Sequence, residues 1–267
     1  MTAVRETLAV CRYEFRMQIR KRSLWITIAL LAGALAAGRF GMGPRYAPAP
    51  PGAPAREVMT RWALLFCVIL PIAFGMALAD RLLRDRRLHT AELLASLPPG
   101  PAGRLTGTFL GSVPATGAPA LAAMLAAASY ETARRGDPAM IPWGVAAFAA
   151  VLAPALVFVA GYALVCPLAL TAPLFRVLFV GYWFWGNLLL PATLPTLTGS
   201  LLSPIGSYAA SWLLGTPVLH AGIPGPLPIL RPVPTGSAAA ASIGLLVIAG
   251  LIPLLTAGLL RSRRRTA

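Results

Sequence analysis

The chain is poor in acid. Eight Asp and Glu stand against 23 Lys and Arg in 267 residues, and charged residues of either sign make up only 12%. Side chains suited to metals or nucleophilic chemistry are almost as scarce, with two histidines and three cysteines. Cys11, Cys67 and Cys166 have no metal-ligand spacing, so their expected role is small apolar filling. His89 and His220 belong to no His-Glu-x-x-His pattern, and no Gly-x-x-x-x-Gly-Lys-Ser/Thr or Gly-x-Ser-x-Gly occurs. These absences leave no loop to cradle nucleotide phosphates and no hydrolase motif. The expectation is a chain that is not an enzyme, with no catalytic, cofactor-binding or metal-binding residues of its own.

Apolar residues are abundant, at 57% of the chain. They fall in runs. A bilayer's hydrocarbon core is about 30 Å thick, and a helix rising about 1.5 Å per residue needs roughly 20 apolar residues to cross it. Six runs meet that need: 24–42, 62–79, 105–129, 141–165, 174–194 and 238–260. The expected fold is an all-α polytopic membrane protein of one transmembrane domain, 1–267, with six transmembrane helices.

A formal charge of +15 would ordinarily suggest nucleic acid. Orientation in a membrane explains it better. Six spans put both termini on one side. Under that topology the inside segments hold 16 of the 23 basic residues, and the outside keeps Arg39, Arg45, Arg56, Arg61, Arg134, Arg135 and Arg231. The Lys/Arg bias sets orientation, so both termini are expected to be cytoplasmic, in a plasma membrane whose anionic inner leaflet suits the basic clusters. No nucleic-acid partner is expected. Ala34-Leu35-Ala36 looks like a signal cleavage site, but the segment before the apolar run exceeds 20 residues and carries Glu6 and Glu14. The first span is therefore expected to be retained.

Between the runs, several segments have their own character. Over 4–20, Val4, Leu8, Cys11, Phe15 and Ile19 fall on one helical stripe, flanked by Arg5, Arg12 and Arg16. This predicts an interfacial helix, with Leu8 and Phe15 in apolar surroundings and Arg12 and Arg16 reaching lipid phosphates. Residues 43–56 form a proline-rich external loop. After the second span, charge begins at once with Asp80, Arg81, Arg84, Asp85, Arg86 and Arg87. A short helical pattern follows over 88–97 and closes at Pro98-Pro99-Gly100. Its leucines, Leu88, Leu93, Leu94 and Leu97, make it too apolar for a plain loop and it is too short to span.

In the third span Gly107 and Gly111 stand four apart, a small-xxx-small pair that lets another helix approach closely. The fifth span is aromatic-rich through Trp183 and Trp185, which suits helix packing or a membrane-interface belt better than an apolar substrate wall. The segment 195–237 is expected to be external, with Leu201–Leu214 as a re-entrant or interfacial helix. A seventh crossing would put the cluster Arg261–Arg265 outside.

Taken with the six-span layout, the second-to-third-span loop resembles that of the permease subunit of an ABC-2 type transporter. The family's loop runs as a charged stretch and then roughly Glu-x-x-x-Gly-Thr-x-Glu-x-Leu-Leu-x-Thr-Pro. Asp85, Thr90, Glu92, Leu93, Leu94, Ser96 and Pro98 echo it, with Leu97 inserted before the proline. His89 stands where the family has glycine, and Thr108 where it has lysine.

The resemblance implies that 88–97 is a coupling helix, with Leu88, Thr90, Glu92, Leu93, Leu94 and Leu97 contacting a separate ABC ATPase subunit. ATP and Mg would be held by that partner. A second permease chain and membrane lipids complete the implied partners, and the implied activity is export of an unknown substrate. Two other readings stay open from the residues alone: a non-transporting anchor, assembly or sensor component, and an ion-coupled carrier.

Overall fold

The computed structural model of the chain describes residues 2–38, 48–83, 100–189, 195–215, 221–225 and 227–266. Every regular element among them is helical. In chain order these are α1 (Thr2–Ile19), α2 (Arg22–Gly38), α3 (Ala55–Ala79), α4 (Pro101–Arg135), α5 (Met140–Ala147), α6 (Ala153–Val165), α7 (Ala172–Asn187), α8 (Ser207–Leu214) and α9 (Gly236–Thr266). A π turn, Phe148–Leu152, joins α5 to α6.

Four helical rods are long and apolar enough to cross a bilayer: Ala55–Leu83, Ala102–Arg135, Met140–Leu168 and Gly236–Leu259. A fifth is reached if α1 and α2 count as one broken span, bent by 60° between them. The bend falls at Arg20-Lys21-Arg22, where consecutive cations resist burial together. The Trp25 indole N–H caps it by donating to the Ile19 carbonyl at 2.8 Å. Helix α7 has 16 residues, about 24 Å of rise, which is short of the roughly 30 Å hydrocarbon core.

Helix α3 is the centre of the bundle. In its most apolar stretch 78% of the residues are buried inside the protein, against 33% in α9. The outward faces are just as apolar: Leu30, Val177, Ile248, Ile252 and Leu255 are all exposed. Apolar surface of that extent on several long helices is the pattern of a multi-pass membrane protein.

Pro71 interrupts the α3 ladder, since it has no N–H to return to the preceding turn. One residue from the carbonyl so freed, the Val68 carbonyl accepts a hydrogen bond from the Trp183 indole of α7 at 2.8 Å. Helices α6 and α9 touch backbone to backbone: a Cβ on Gly250 would lie 2.8 Å from both the Phe158 Cα and the Val157 carbonyl oxygen.

The segment between α7 and α9 folds back into the bundle. Cys67, midway along α3, contacts the Pro204 carbonyl at 3.5 Å. The helix that follows, α8, buries Ser207, Tyr208, Ala209, Ala210, Ser211 and Leu213. Arg231 staples the return path by donating to the Thr196 and Thr198 carbonyls, each at 2.7 Å. Tyr208 donates to the Pro232 carbonyl at 2.8 Å. Arg231, Tyr208 and the carbonyls they meet are thus satisfied within the protein, as buried backbone in a membrane must be.

Candidate functional site

Two features of α4 stand out, one at each end of the bundle. The first lies where α3 ends and α4 begins. Helix α1 lies along the first half of α4, and its packed face is Thr7, Val10, Cys11, Glu14 and Gln18. The fit depends on glycine. A Cβ on Gly107 would sit 2.8 Å from the Thr7 carbonyl oxygen and 2.8 Å from Val10 Cβ. A Cβ on Gly111 would sit 2.7 Å from Glu14 Cβ. Two bare backbones therefore meet where any larger residue would force them apart.

The same helix also holds α3. Arg81 donates from Nε to Glu14 Oε2 at 2.9 Å and from Nη2 to Glu14 Oε1, a fork matched to the carboxylate. Both side chains are buried, 8% and 4% exposed. A buried charge without a partner is costly, so this pair fixes where α1 can sit. Next to it, Arg176 of α7 pairs with Asp80.

The segment 84–99 leaves α3 just after Arg81 and enters α4 at Gly100. Helix α1 therefore grips the structure on both sides of that segment, through Glu14 on the α3 side and through Gly107 and Gly111 on the α4 side.

The second feature is an apolar groove of about 580 Å³ between α2, α3 and the later half of α4. Its walls are Ala29, Ala32, Gly33 and Ala36 of α2, Trp62 and Phe66 of α3, and Pro119, Ala122, Ala123, Ala126 and Ala127 of α4, with Trp25 at one end. Tyr130 and Arg134 stand at the other end, and among the described residues Arg134 is the only charge in the lining. The Trp62 indole is held by Glu131 Oε1 at 3.1 Å. Glu131 is 1% exposed and also accepts from Arg135 at 2.9 Å, while Arg134 lies 3.5 Å away and is 45% exposed. Arg135 in turn donates to the Ala49 and Pro50 carbonyls, tying α4 to the segment before α3.

Against the residues singled out from sequence, Gly107 and Gly111 pack a helix, and that helix is α1. Arg12 and Arg16 are exposed, Phe15 is half-buried, and Leu8 is 58% exposed on the side of α1 turned away from α4. Leu88, Thr90, Glu92, Leu93, Leu94 and Leu97 lie outside the described residues. The sequence reading missed Glu14, Arg81, Glu131 and the groove. The signal for Glu131 was legible, because Arg135 stands four residues on, at helical pairing distance. Glu14 also had a weak signal, as a carboxylate set between Arg12 and Arg16 in one short helix.

Among the described residues no cluster of three His, Cys, Asp or Glu is placed to hold a metal. At least four carboxylates, Glu14, Glu57, Asp80 and Glu131, are already paired with arginine. No protein-family model matches the sequence, and no curated protein matches it.

Proposed function

We propose that the chain is the membrane-spanning permease subunit of an ABC transporter of the ABC-2 type, exporting a substrate with energy supplied by a separate ATPase. The observation that carries this reading is the grip of α1 on both flanks of segment 84–99. A segment that receives force from a soluble motor must pass it to the spans, and rigid attachment of both its ends to the first helices does so. Leu88, Leu93, Leu94 and Leu97 give that segment an apolar face for a groove on the partner.

In this reading there are six crossings with both termini cytoplasmic. Helices α2 and α7 are the short spans; α2 is followed at once by Arg39, and the sequence after α7 is largely apolar to Leu194. The chain between α7 and α9 is a re-entrant segment whose tip reaches the level of Cys67. ATP and Mg are bound by the partner, and two copies or relatives of this chain serve two ATPase subunits in a two-fold assembly. The arginine pairing of Glu14, Glu57, Asp80 and Glu131 disfavours an ion-coupled carrier, which needs an ionisable group free at membrane depth.

The test is Leu93→Asp combined with Leu94→Asp, outside the apolar runs. The variant should insert normally but fail to copurify with an ABC ATPase encoded beside it, and should lose vanadate-sensitive, ATP-dependent transport. Retained binding and stimulated hydrolysis would favour a membrane anchor or sensor instead.

A further inference from the structure

The groove between α2 and α4 is not used by that proposal, and its construction is specific. Two rows of alanine and glycine, Ala29 and Gly33 with Ala123 and Ala126, leave a channel that larger side chains would have filled. Both ends are built. Trp25 is pinned by its hydrogen bond to Ile19, and Arg134 stands at the other end with nearly half its surface free.

The dimensions suit a chain molecule. From Pro119 to Arg134 α4 rises about 22 Å, and from Trp25 to Ala36 α2 rises about 16 Å. One leaflet of hydrocarbon is about 15 Å deep. Charge selects the head. A second copy of this chain has little acid to offer Arg134, since eight carboxylates serve 23 basic residues and at least four are already paired internally. An anionic phospholipid headgroup supplies that charge, and its acyl tail suits the apolar walls.

We propose that this groove is a binding site for one anionic phospholipid, an acyl tail lying along Gly33 and Ala123 and the headgroup on Arg134. It is a site on the wall of the bundle and does not depend on the transport reading.

The probe is phosphatidylglycerol against phosphatidylcholine with identical acyl chains, added to the delipidated full-length protein in detergent and counted by native mass spectrometry. The wild type should retain one phosphatidylglycerol in preference to phosphatidylcholine, by up to about fivefold, the most that one exposed ion pair typically supplies. Arg134→Gln should remove the preference while leaving tail binding. Gly33→Leu with Ala123→Leu should fill the groove and abolish retention of either lipid, with an unchanged circular-dichroism spectrum certifying the fold. Retention unaffected by the filled groove, or a headgroup preference that survives Arg134→Gln, would overturn the proposal. A wild-type dimer that the filled groove converts to monomer, with no retained lipid in either, would overturn it in favour of a second copy.

Discussion

Helix α4 presents small residues twice, with opposite results. Its first half meets α1 at Gly107 and Gly111 and closes until backbones touch. Its second half meets α2 across Ala122, Ala123, Ala126 and Ala127 and stays open by about 580 Å³. Composition alone does not separate the two halves. What separates them is the partner and the fastening. Helix α1 brings a polar face, Thr7, Glu14 and Gln18, which gains from burial only when paired, and Arg81 locks it down. Helix α2 brings alanine and glycine, with nothing polar to fasten and no bulk to fill the gap. Small residues permit contact in a membrane, and hydrogen bonds or charges secure it.

The largest effect should come from the fastening. Arg81→Ala leaves Glu14 charged and buried, and loss of one member of such a pair costs about 3–5 kcal/mol. Thermal denaturation of the purified protein in detergent should show it as a large fall in midpoint. Glu14→Leu combined with Arg81→Met should recover most of the loss, because no orphaned charge remains. If the single variant melts like wild type, the ion pair does not hold α1.

A smaller effect should separate the two halves of α4 directly. Gly111→Val drives side-chain atoms into the α1 backbone, and overpacking of this kind costs about 1–3 kcal/mol. Ala123→Val adds two of those three carbons beside open space and should change stability by less than about 0.5 kcal/mol. Equal losses at the two positions would mean that the groove is closed in the folded protein.

Much of the helical layout was readable because length and hydropathy are additive along the chain. The rods through α3, α4, α5–α6 and α9 each contain an apolar run expected to span. Where α7 ends was not readable. The run 174–194 is apolar to its end, but the helix stops at Asn187, whose Nδ2 turns back to the Trp183 carbonyl at 3.1 Å while Ser203 donates to its Oδ1 at 3.1 Å. That stop depends on a residue 16 positions away, which no local pattern encodes.

The packed face of α1 was hidden for a related reason. Hydrophobic periodicity marks the stripe through Val4, Leu8, Cys11, Phe15 and Ile19, yet Val4 and Leu8 face outward and Cys11 alone of the stripe lies on the face against α4. In a membrane protein the lipid side can be the apolar one, and the polar side then carries the contacts within the protein. The glycine pair was visible in the sequence, but its partner was not, since nothing in a spacing of four says which helix fills it.

The smallest effects should fall on the outward residues of that stripe. Leu8→Ala should change stability by less than about 0.5 kcal/mol in detergent. Val10→Ala, beneath α4, should cost more. The reverse order would place the wrong side of α1 against the bundle.

The most direct test of the α1–α4 contact is a disulfide. With Cys11, Cys67 and Cys166 replaced by alanine and a protease site placed in the proline-rich 43–56 segment, Val10→Cys and Gly107→Cys are introduced together. Disulfides need Cβ atoms about 3.5–4.5 Å apart, and these positions require only a small outward shift to reach it. After mild oxidation in membranes and proteolysis, the two fragments should stay joined on a non-reducing gel. The same treatment of Leu8→Cys with Gly107→Cys should release them. Fragments that separate in the first case, or stay joined equally in both, would contradict the packing of α1 on the glycine face of α4.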